Sequence, residues 1–395
     1  MRIVIFSDTF SPDINGVATS CGNLYKTLTN HGDEVMVLTS NSIDGHKSDY
    51  SSSIIRLKGI RFKRLYGYVI SLFGSPKAMK ILKQFKPDIC HIQTDGPLGQ
   101  FGFKVAKRTD ASVVYTYHTS IEDYTYYVTH GWFFDKTAKA IVRRYVKHKG
   151  KKVDGLIVPS EKVATYMESL GIKLKANVVP TGFDFTPFKE RDESKISELR
   201  NKFGISKDDY VILYLGRIAK EKSIDVLIEG FGEYLSKYEA KNVKLVIAGG
   251  GPDLKRLQGI VKEKKLEDKI IFTDRVEPKD TPAYYHLGDA YAFASVTETQ
   301  GLTYLEALAA GLPIILRYDE SYKDVIQNDV NGFVYTDTHQ LADQINKVIN
   351  LSPKDRENII ENGYKSLEPY TLERFYSSVM EVYKKAIKNH GQKGR

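Results

Sequence analysis

Short apolar runs alternate with amphipathic stretches from the first residues onward. Ile3-Val4-Ile5-Phe6 opens the series, a helix-like segment follows near 17–31, and Val35-Met36-Val37-Leu38 comes next. Asp88-Ile89-Cys90-His91-Ile92, Val113-Val114-Tyr115-Thr116-Tyr117, Leu156-Ile157-Val158 and Val178-Val179-Pro180 continue it. None of these runs alternates polar with apolar, so they predict strands buried on both faces, as in a parallel sheet covered by helices. Helical segments between them make the first half a doubly wound α/β unit. Residues 186–209 are polar and charged, which suits a connection. The pattern then restarts with Tyr210-Val211-Ile212-Leu213-Tyr214-Leu215. Lys244–Ala248, Lys269–Phe272, Ala290–Ala294 and Pro313–Leu316 follow in the same manner. The expectation is α/β: two Rossmann-like domains, 1–186 and 187–370, facing across a cleft with ligands at the carboxyl ends of the strands. A last helix within 371–395 carries Phe375, Val379, Val382, Tyr383 and Ile387 at helical spacing and is expected to pack back on the first domain.

Composition sharpens this picture in two ways. At 395 residues, 42% apolar and 27% charged, the chain has material for two buried cores and is neither fibrous nor disordered. Its net charge of +9 is unevenly placed: residues 1–186 hold 26 basic and 16 acidic side chains, whereas 187–395 hold 32 and 33. The first half should therefore face something anionic. Two cysteines, Cys21 and Cys90, form neither a disulfide framework nor a metal-binding pair, and a reducing compartment is expected. The opening MRIVIFSDTF lacks the charged start and apolar core of a secretory signal. No apolar run approaches the ~18–20 residues that cross a bilayer.

Chemistry concentrates in Glu298-Thr-Gln-Gly-Leu-Thr-Tyr-Leu-Glu306, which follows a predicted strand and enters a helix predicted from about Leu302 to Ala310. Gln300, Gly301 and Leu302 would offer backbone N–H groups at the helix N-terminus, a natural site for an oxygen-rich ligand. Glu306 sits among Leu302, Leu305, Leu308 and several alanines, where a carboxylate needs hydrogen-bond donors. The plainer reading makes Glu298 a loop charge and Glu306 a solvated helix position. No Asp-x-Asp pair, Walker sequence or GxGxxG run occurs.

These residues resemble retaining GT-B glycosyltransferases of family four, whose E-x7-E signature Glu298–Glu306 matches. The resemblance spans nearly the whole chain: Phe10-Ser-Pro-Asp-Ile-Asn-Gly16, Tyr117-His118-Thr119, Pro180-Thr-Gly-Phe-Asp184, Leu215-Gly-Arg217 with Glu221-Lys222, and Ala248-Gly-Gly-Gly-Pro252 recur in order. It implies that Arg217 and Lys222 hold the diphosphate of a sugar nucleotide and stabilise it as it leaves. A guanidinium fork beside a mobile ammonium suits that task; the alternative is a basic loop that only pairs with Glu221. The resemblance further implies that Gly16 lets backbone approach the donor, that His118 contacts the donor sugar, that Glu298 and the Gln300–Leu302 amides hold hexose hydroxyls, and that Glu306 binds the ribose. Asp123 is a candidate to orient the acceptor hydroxyl. Ser223 replaces a family glycine and Gln300 a frequent phenylalanine, the second of which puts sugar preference in question. No carboxylate is clearly placed for a covalent intermediate, so front-side attack is expected. No cofactor or resident metal is expected, with Mg2+ at most stimulatory.

Residues 56–86 carry nine basic residues and no acidic one, interleaved with aromatic and aliphatic side chains, and Lys136–Lys152 carries eight basic and none acidic. A cationic, aromatic-rich stretch fits an interfacial membrane element, with Arg61, Lys63, Arg64, Tyr66, Phe73, Lys77, Lys80, Lys83, Trp132, Arg143 and Arg144 as the contacting residues. A solvated basic face and nucleic acid are the rival readings. Among family members the motif details look like the bacterial diacylglycerol glucosyltransferases. They imply UDP-glucose as donor, the 3-hydroxyl of 1,2-diacylglycerol as acceptor, an anionic phospholipid surface as partner, no nucleic acid, and a peripheral place on the cytoplasmic face of the membrane. The open alternatives are a second sugar added to a glycolipid, a soluble or polyprenyl-linked saccharide as acceptor, and a non-catalytic binder of anionic lipid or nucleic acid.

Overall fold

The structure is a computed structural model and describes residues 1–42, 47–62, 68–118, 140, 143–323 and 325–393. The chain forms two units, one of Met1–Phe183 with Pro369–Arg395 and one of Asp184–Glu368.

The first unit is built on a seven-stranded parallel sheet. Its strands are β1 (Arg2–Phe6), β2 (Glu34–Ser40), β3 (Ile54–Leu57), β6 (Ile89–Ile92), β7 (Ser112–Thr116), β8 (Gly155–Val158) and β9 (Asn177–Val178), in the order β3-β2-β1-β6-β7-β8-β9. Two short strands, β4 (Ile60–Phe62) and β5 (Tyr68–Ile70), form a separate antiparallel pair. Both sheet faces are covered, which explains the unbroken apolar runs. Val4 and Phe6 of β1 join Leu82, Leu98 and Val105 on one side. Ile3 and Ile5 join Cys21, Leu24 and Leu28 on the other, together with Phe375, Val379, Val382, Tyr383 and Ala386 of the C-terminal helix Leu372–Lys393. That helix belongs to this unit because its apolar stripe completes the second layer.

Helix starts follow local chemistry. The Asn15 side chain accepts a bond from the Ala18 amide at 2.9 Å to open helix α1 (Gly16–Asn30). Ser75 caps helix α2 (Pro76–Phe85), with Pro76 in the first helical position where its missing N–H costs nothing.

The second unit repeats the plan. Strands β10 (Tyr210–Leu215), β11 (Val243–Ala248), β12 (Ile270–Phe272), β13 (Ala290–Phe293), β14 (Ile314–Arg317) and β15 (Phe333–Tyr335) pair in parallel in the order β12-β11-β10-β13-β14-β15. The chain order reverses between β10 and β13, so their following loops diverge and leave a crevice at the carboxyl ends. Among the described residues no helix is long and apolar enough to cross a membrane.

The basic segment 56–86 is not one amphipathic element. It comprises the end of β3, the β4–β5 pair and α2. Val69, Met79 and Leu82 from it are core residues, whereas Leu72 is 39% and Phe73 82% exposed. Lys77, Lys80 and Lys83 are exposed on α2, and Lys77 lies 4.4 Å from the Tyr50 ring centre. Arg61, Arg143 and Arg144 are also exposed. Lys63, Arg64, Tyr66, Trp132 and Asp123 lie outside the described residues.

Candidate functional site

The loops after β10 and β13 bring the second unit's charged residues together. Arg217 pairs with Glu221, and the Lys222 Nζ meets Glu298 Oε1 at 2.5 Å, with those two side chains 18% and 15% exposed. The Glu221 carbonyl accepts from both Ser295 Oγ and Thr297 Oγ1 at 3.4 Å, which ties one loop to the other. Beneath them the buried Tyr214 hydroxyl donates to the Arg217 carbonyl at 3.0 Å. Two cations and two carboxylates thus neutralise one another in a partly buried cluster at the switch point of the sheet. Such a cluster can release cations to an incoming dianion and carboxylates to hydroxyls, because partners are exchanged rather than stripped.

The glycine run after β11 shapes the same loop. Ile218 N–H donates to the Gly250 carbonyl at 3.0 Å. Gly249 has φ +137°, and a Cβ there would lie 1.9 Å from the Gly216 carbonyl oxygen, so only glycine lets the backbone run so close to the Arg217 loop. Gly301, at φ +79°, heads the helix Leu302–Ala309 with no capping side chain of its own, and a Cβ would press on the Tyr304 ring at 2.8 Å. The conformation leads the chain from the buried Gln300 into the helix and presents the first-turn amides.

Glu306 lies in that helix, partly buried. The Tyr285 hydroxyl donates to its Oε2 at 2.6 Å and also contacts the Thr303 carbonyl at 3.0 Å. Burial pushes the Glu306 carboxyl up to about 7, opposed by the tyrosine bond. The neighbouring Tyr291 hydroxyl meets Thr303 Oγ1 at 2.8 Å. The structure therefore gathers Arg217, Lys222, Glu298, Gln300, Gly301, Leu302 and Glu306 at the carboxyl end of the central strands of one unit's sheet. Sequence reasoning passed over Tyr285, because a tyrosine in an apolar helix reads as core.

In the first unit, Gly16 is exposed at the start of α1. His118 follows β7, where its Nε2 bonds Gln93 Oε1. Burial lowers His118 to about 4, so the ring is neutral near pH 7. Gln93, which nothing in the sequence singled out, follows β6. Among the described residues no group of three or more histidine, cysteine or acidic side chains is arranged to hold a metal ion.

The family description "Glycosyltransferase Family 4" matches residues 14–186, and "Glycosyl transferases group 1" matches 195–366. The chain is 35% identical over 391 residues to the alpha-monoglucosyldiacylglycerol synthase of Streptococcus pneumoniae, covering 98% of this chain and 86% of that one. It is 34% identical over 400 residues to the synthase of the same name from Acholeplasma laidlawii, covering 100% and 99%. Among solved structures, HepE from Anabaena in complex with UDP-glucose superposes with a TM-score of 0.71 at 17% identity, covering 96% of this chain and 98% of that one. Sucrose-phosphate synthase from Thermosynechococcus elongatus gives 0.76, also at 17% identity, covering 97% and 98%. With two Rossmann-like units, the E-x7-E pair beside Arg217 and Lys222, and full-length relatives of this kind, the chain belongs to glycosyltransferase family four and is a hexosyltransferase of the GT-B fold.

Proposed function

We propose that the protein transfers glucose from UDP-glucose to the 3-hydroxyl of 1,2-diacylglycerol, with retention of the α configuration, at the cytoplasmic surface of a membrane. The observation that carries this reading is the Arg217–Glu221 and Lys222–Glu298 cluster at the β10/β13 switch point beside the uncapped helix Leu302–Ala309. The acceptor is supported by the two full-length relatives, both named alpha-monoglucosyldiacylglycerol synthase. The donor is supported by the UDP-glucose complex of a protein of the same fold.

In this reading the diphosphate draws Lys222 and Arg217 away from their carboxylates. Glu298 then accepts bonds from the hexose hydroxyls, and the ionised Glu306 from the ribose. As the anomeric C–O bond breaks, charge grows on the departing phosphate oxygen. The two fixed cations and the helix N-terminus stabilise that charge more strongly than the ground state. The acceptor oxygen bonds the anomeric carbon from the same face, and its proton passes to the departing phosphate oxygen. His118 serves as the first unit's contact to the transferred sugar, and Asp123 as the group that orients the acceptor hydroxyl. No resident metal is invoked, since the cations and the helix dipole meet the diphosphate charge.

The first unit's basic surface is proposed to hold the protein on anionic phospholipid. Lys77, Lys80 and Lys83 are exposed, as are Leu72 and Phe73 just ahead of α2 in the chain, which supports an interfacial contact of charge and apolar surface. Incubation with labelled UDP-glucose and diacylglycerol in mixed micelles tests the whole reading. An α-glucosyl lipid, identified by its anomeric proton coupling, is the expected product. UDP-glucose consumed without lipid product would point to another acceptor, and no turnover with any donor would refute the reaction.

A further inference from the structure

A chain of buried polar side chains runs through the first unit behind His118. Gln93 is 3% exposed and His91 1% exposed, both at the carboxyl end of β6. The two ring nitrogens of His91 are held at 2.7 Å each, Nδ1 by the Tyr383 hydroxyl of the C-terminal helix and Nε2 by Thr116 Oγ1. Both of those hydroxyls can donate or accept, so the His91 ring is pinned whichever nitrogen carries its proton. The Gln93 amide nitrogen lies 3.2 and 3.0 Å from the same two ring nitrogens. Nearly equidistant from the two, the amide lies over the face of the ring, because the single lone pair of neutral His91 points in the ring plane toward a hydroxyl. The oxygen of the same carboxamide is bonded to His118 Nε2.

We propose that Gln93 is a positioning residue for His118, holding the imidazole as its Nε2–H tautomer and in one orientation, so that Nδ1 is the ring's acceptor nitrogen for a hydroxyl donor such as a sugar hydroxyl. This inference rests on the reading of His118 as a sugar contact. A carboxamide oxygen accepts a proton but cannot supply one, so the bond exists only while His118 Nε2 is protonated. The surroundings keep the ring from gaining a second proton. Ser20 from α1, Thr181 after β9, Ile157 and Val179, and Phe375 and Val379 from the C-terminal helix line the same small cavity with His91, Gln93 and Thr116. Among those described residues none carries a carboxylate or a cation, and His91 is the one titratable neighbour. Burial holds His91 near 3, so it remains neutral and adds no charge. The lock thus extends from Tyr383 through His91 and Gln93 to His118, and makes the C-terminal helix a structural support of the proposed sugar contact.

The test uses the full-length protein labelled with 15N-histidine, with the His118 signals assigned by their loss in His118→Asn. Long-range proton–nitrogen correlation should show the Nε2–H tautomer, unchanged from pH 5.5 to 8.5. Gln93→Glu places a carboxylate on Nε2 and should stabilise the imidazolium. Its kcat/KM, read as a ratio to the wild type at each pH, should then rise about tenfold per pH unit across the acidic limb. Gln93→Leu should lower kcat at least tenfold without creating that pH dependence, while the UDP affinity of both variants stays within twofold. An Nδ1–H tautomer in the wild type, or a Gln93→Glu profile that overlays the wild type, overturns the proposal. If Gln93→Glu does not fold, the wild-type tautomer decides alone. If His118→Asn keeps full activity, the sugar contact is wrong, and the tautomer measurement still decides what Gln93 does to the ring.

Discussion

Replacing Glu306 by glutamine keeps the size and a hydrogen-bonding head while removing the charge. Burial raises this carboxyl from the ordinary 4.5 to about 7, so near neutral pH the free protein holds it roughly half protonated. Ribose hydroxyls donate to the ionised form, so nucleotide binding should expel a proton. With a free-protein value near 7, the affinity lost between pH 8 and pH 6 through this one group is about tenfold, or roughly 1.4 kcal/mol. The UDP phosphate titrates in the same range, so the quantity to read is the difference between the wild type and Glu306→Gln. Calorimetric titration with UDP at pH 6, 7 and 8, in buffers of different ionisation enthalpy, counts the released protons directly. The variant should release fewer at pH 7, bind more weakly at pH 8, and approach the wild type at pH 6. A second consequence concerns stability. A carboxyl raised on folding favours the folded state below 4.5, and that contribution is lost as the pH climbs toward 7. The full loss is about 3 kcal/mol, from about 1.36 kcal/mol per pH unit. Glu306→Gln should therefore melt higher than the wild type at pH 8 and match it near pH 4.5. Equal proton release by the two proteins, or a melting difference independent of pH, would refute both the buried carboxyl and its ribose role.

Lys222→Ala removes a cation from the proposed leaving group and leaves Glu298 without its 2.5 Å partner; steady-state kinetics should show kcat down by about 10²–10³, with Lys222→Arg recovering part of it. Gly249→Ala forces a Cβ onto the Gly216 carbonyl in a backbone conformation alanine avoids; denaturant melts should show a loss of more than about 2 kcal/mol, together with weaker UDP binding. Changing Lys77, Lys80 and Lys83 together to Ser removes exposed charge from α2; at about 1 kcal/mol per charge near an anionic surface, sedimentation with anionic liposomes should fall more than tenfold at low salt while the melting temperature stays put. Phe73→Ser should likewise weaken liposome binding without thermal destabilisation, because the side chain is 82% exposed.

The alternation of buried strand runs with helical segments was legible along the chain, because a strand covered on both faces must be apolar at every position, as Ile3-Val4-Ile5-Phe6 is. The E-x7-E spacing, the Arg217 and Lys222 loop and the exposed lysines of α2 could also be read from residue type and order alone. The segment 56–86 could not. Its apolar residues look alike in sequence, yet Val69, Met79 and Leu82 face the core while Leu72 and Phe73 face solvent. That choice depends on where β3, the β4–β5 pair and α2 turn, and those turns are set by the sheet they meet. Nor could sequence disclose that Lys222 pairs with Glu298, which arises because β10 and β13 are neighbours whose paired residues, such as Ile212 and Ala290, lie 78 positions apart. The partners of His118 and Glu306 were hidden for the same reason. Gln93 and Tyr285 are unremarkable side chains until parallel pairing carries β6 beside β7 and the fold brings the helix Thr281–Leu287 beside Glu306. Hydrophobic pattern dictates which elements form, since burial is a property of each residue. Hydrogen bonds between distant polar groups belong to pairs, and only the assembled sheet brings those pairs within 3 Å.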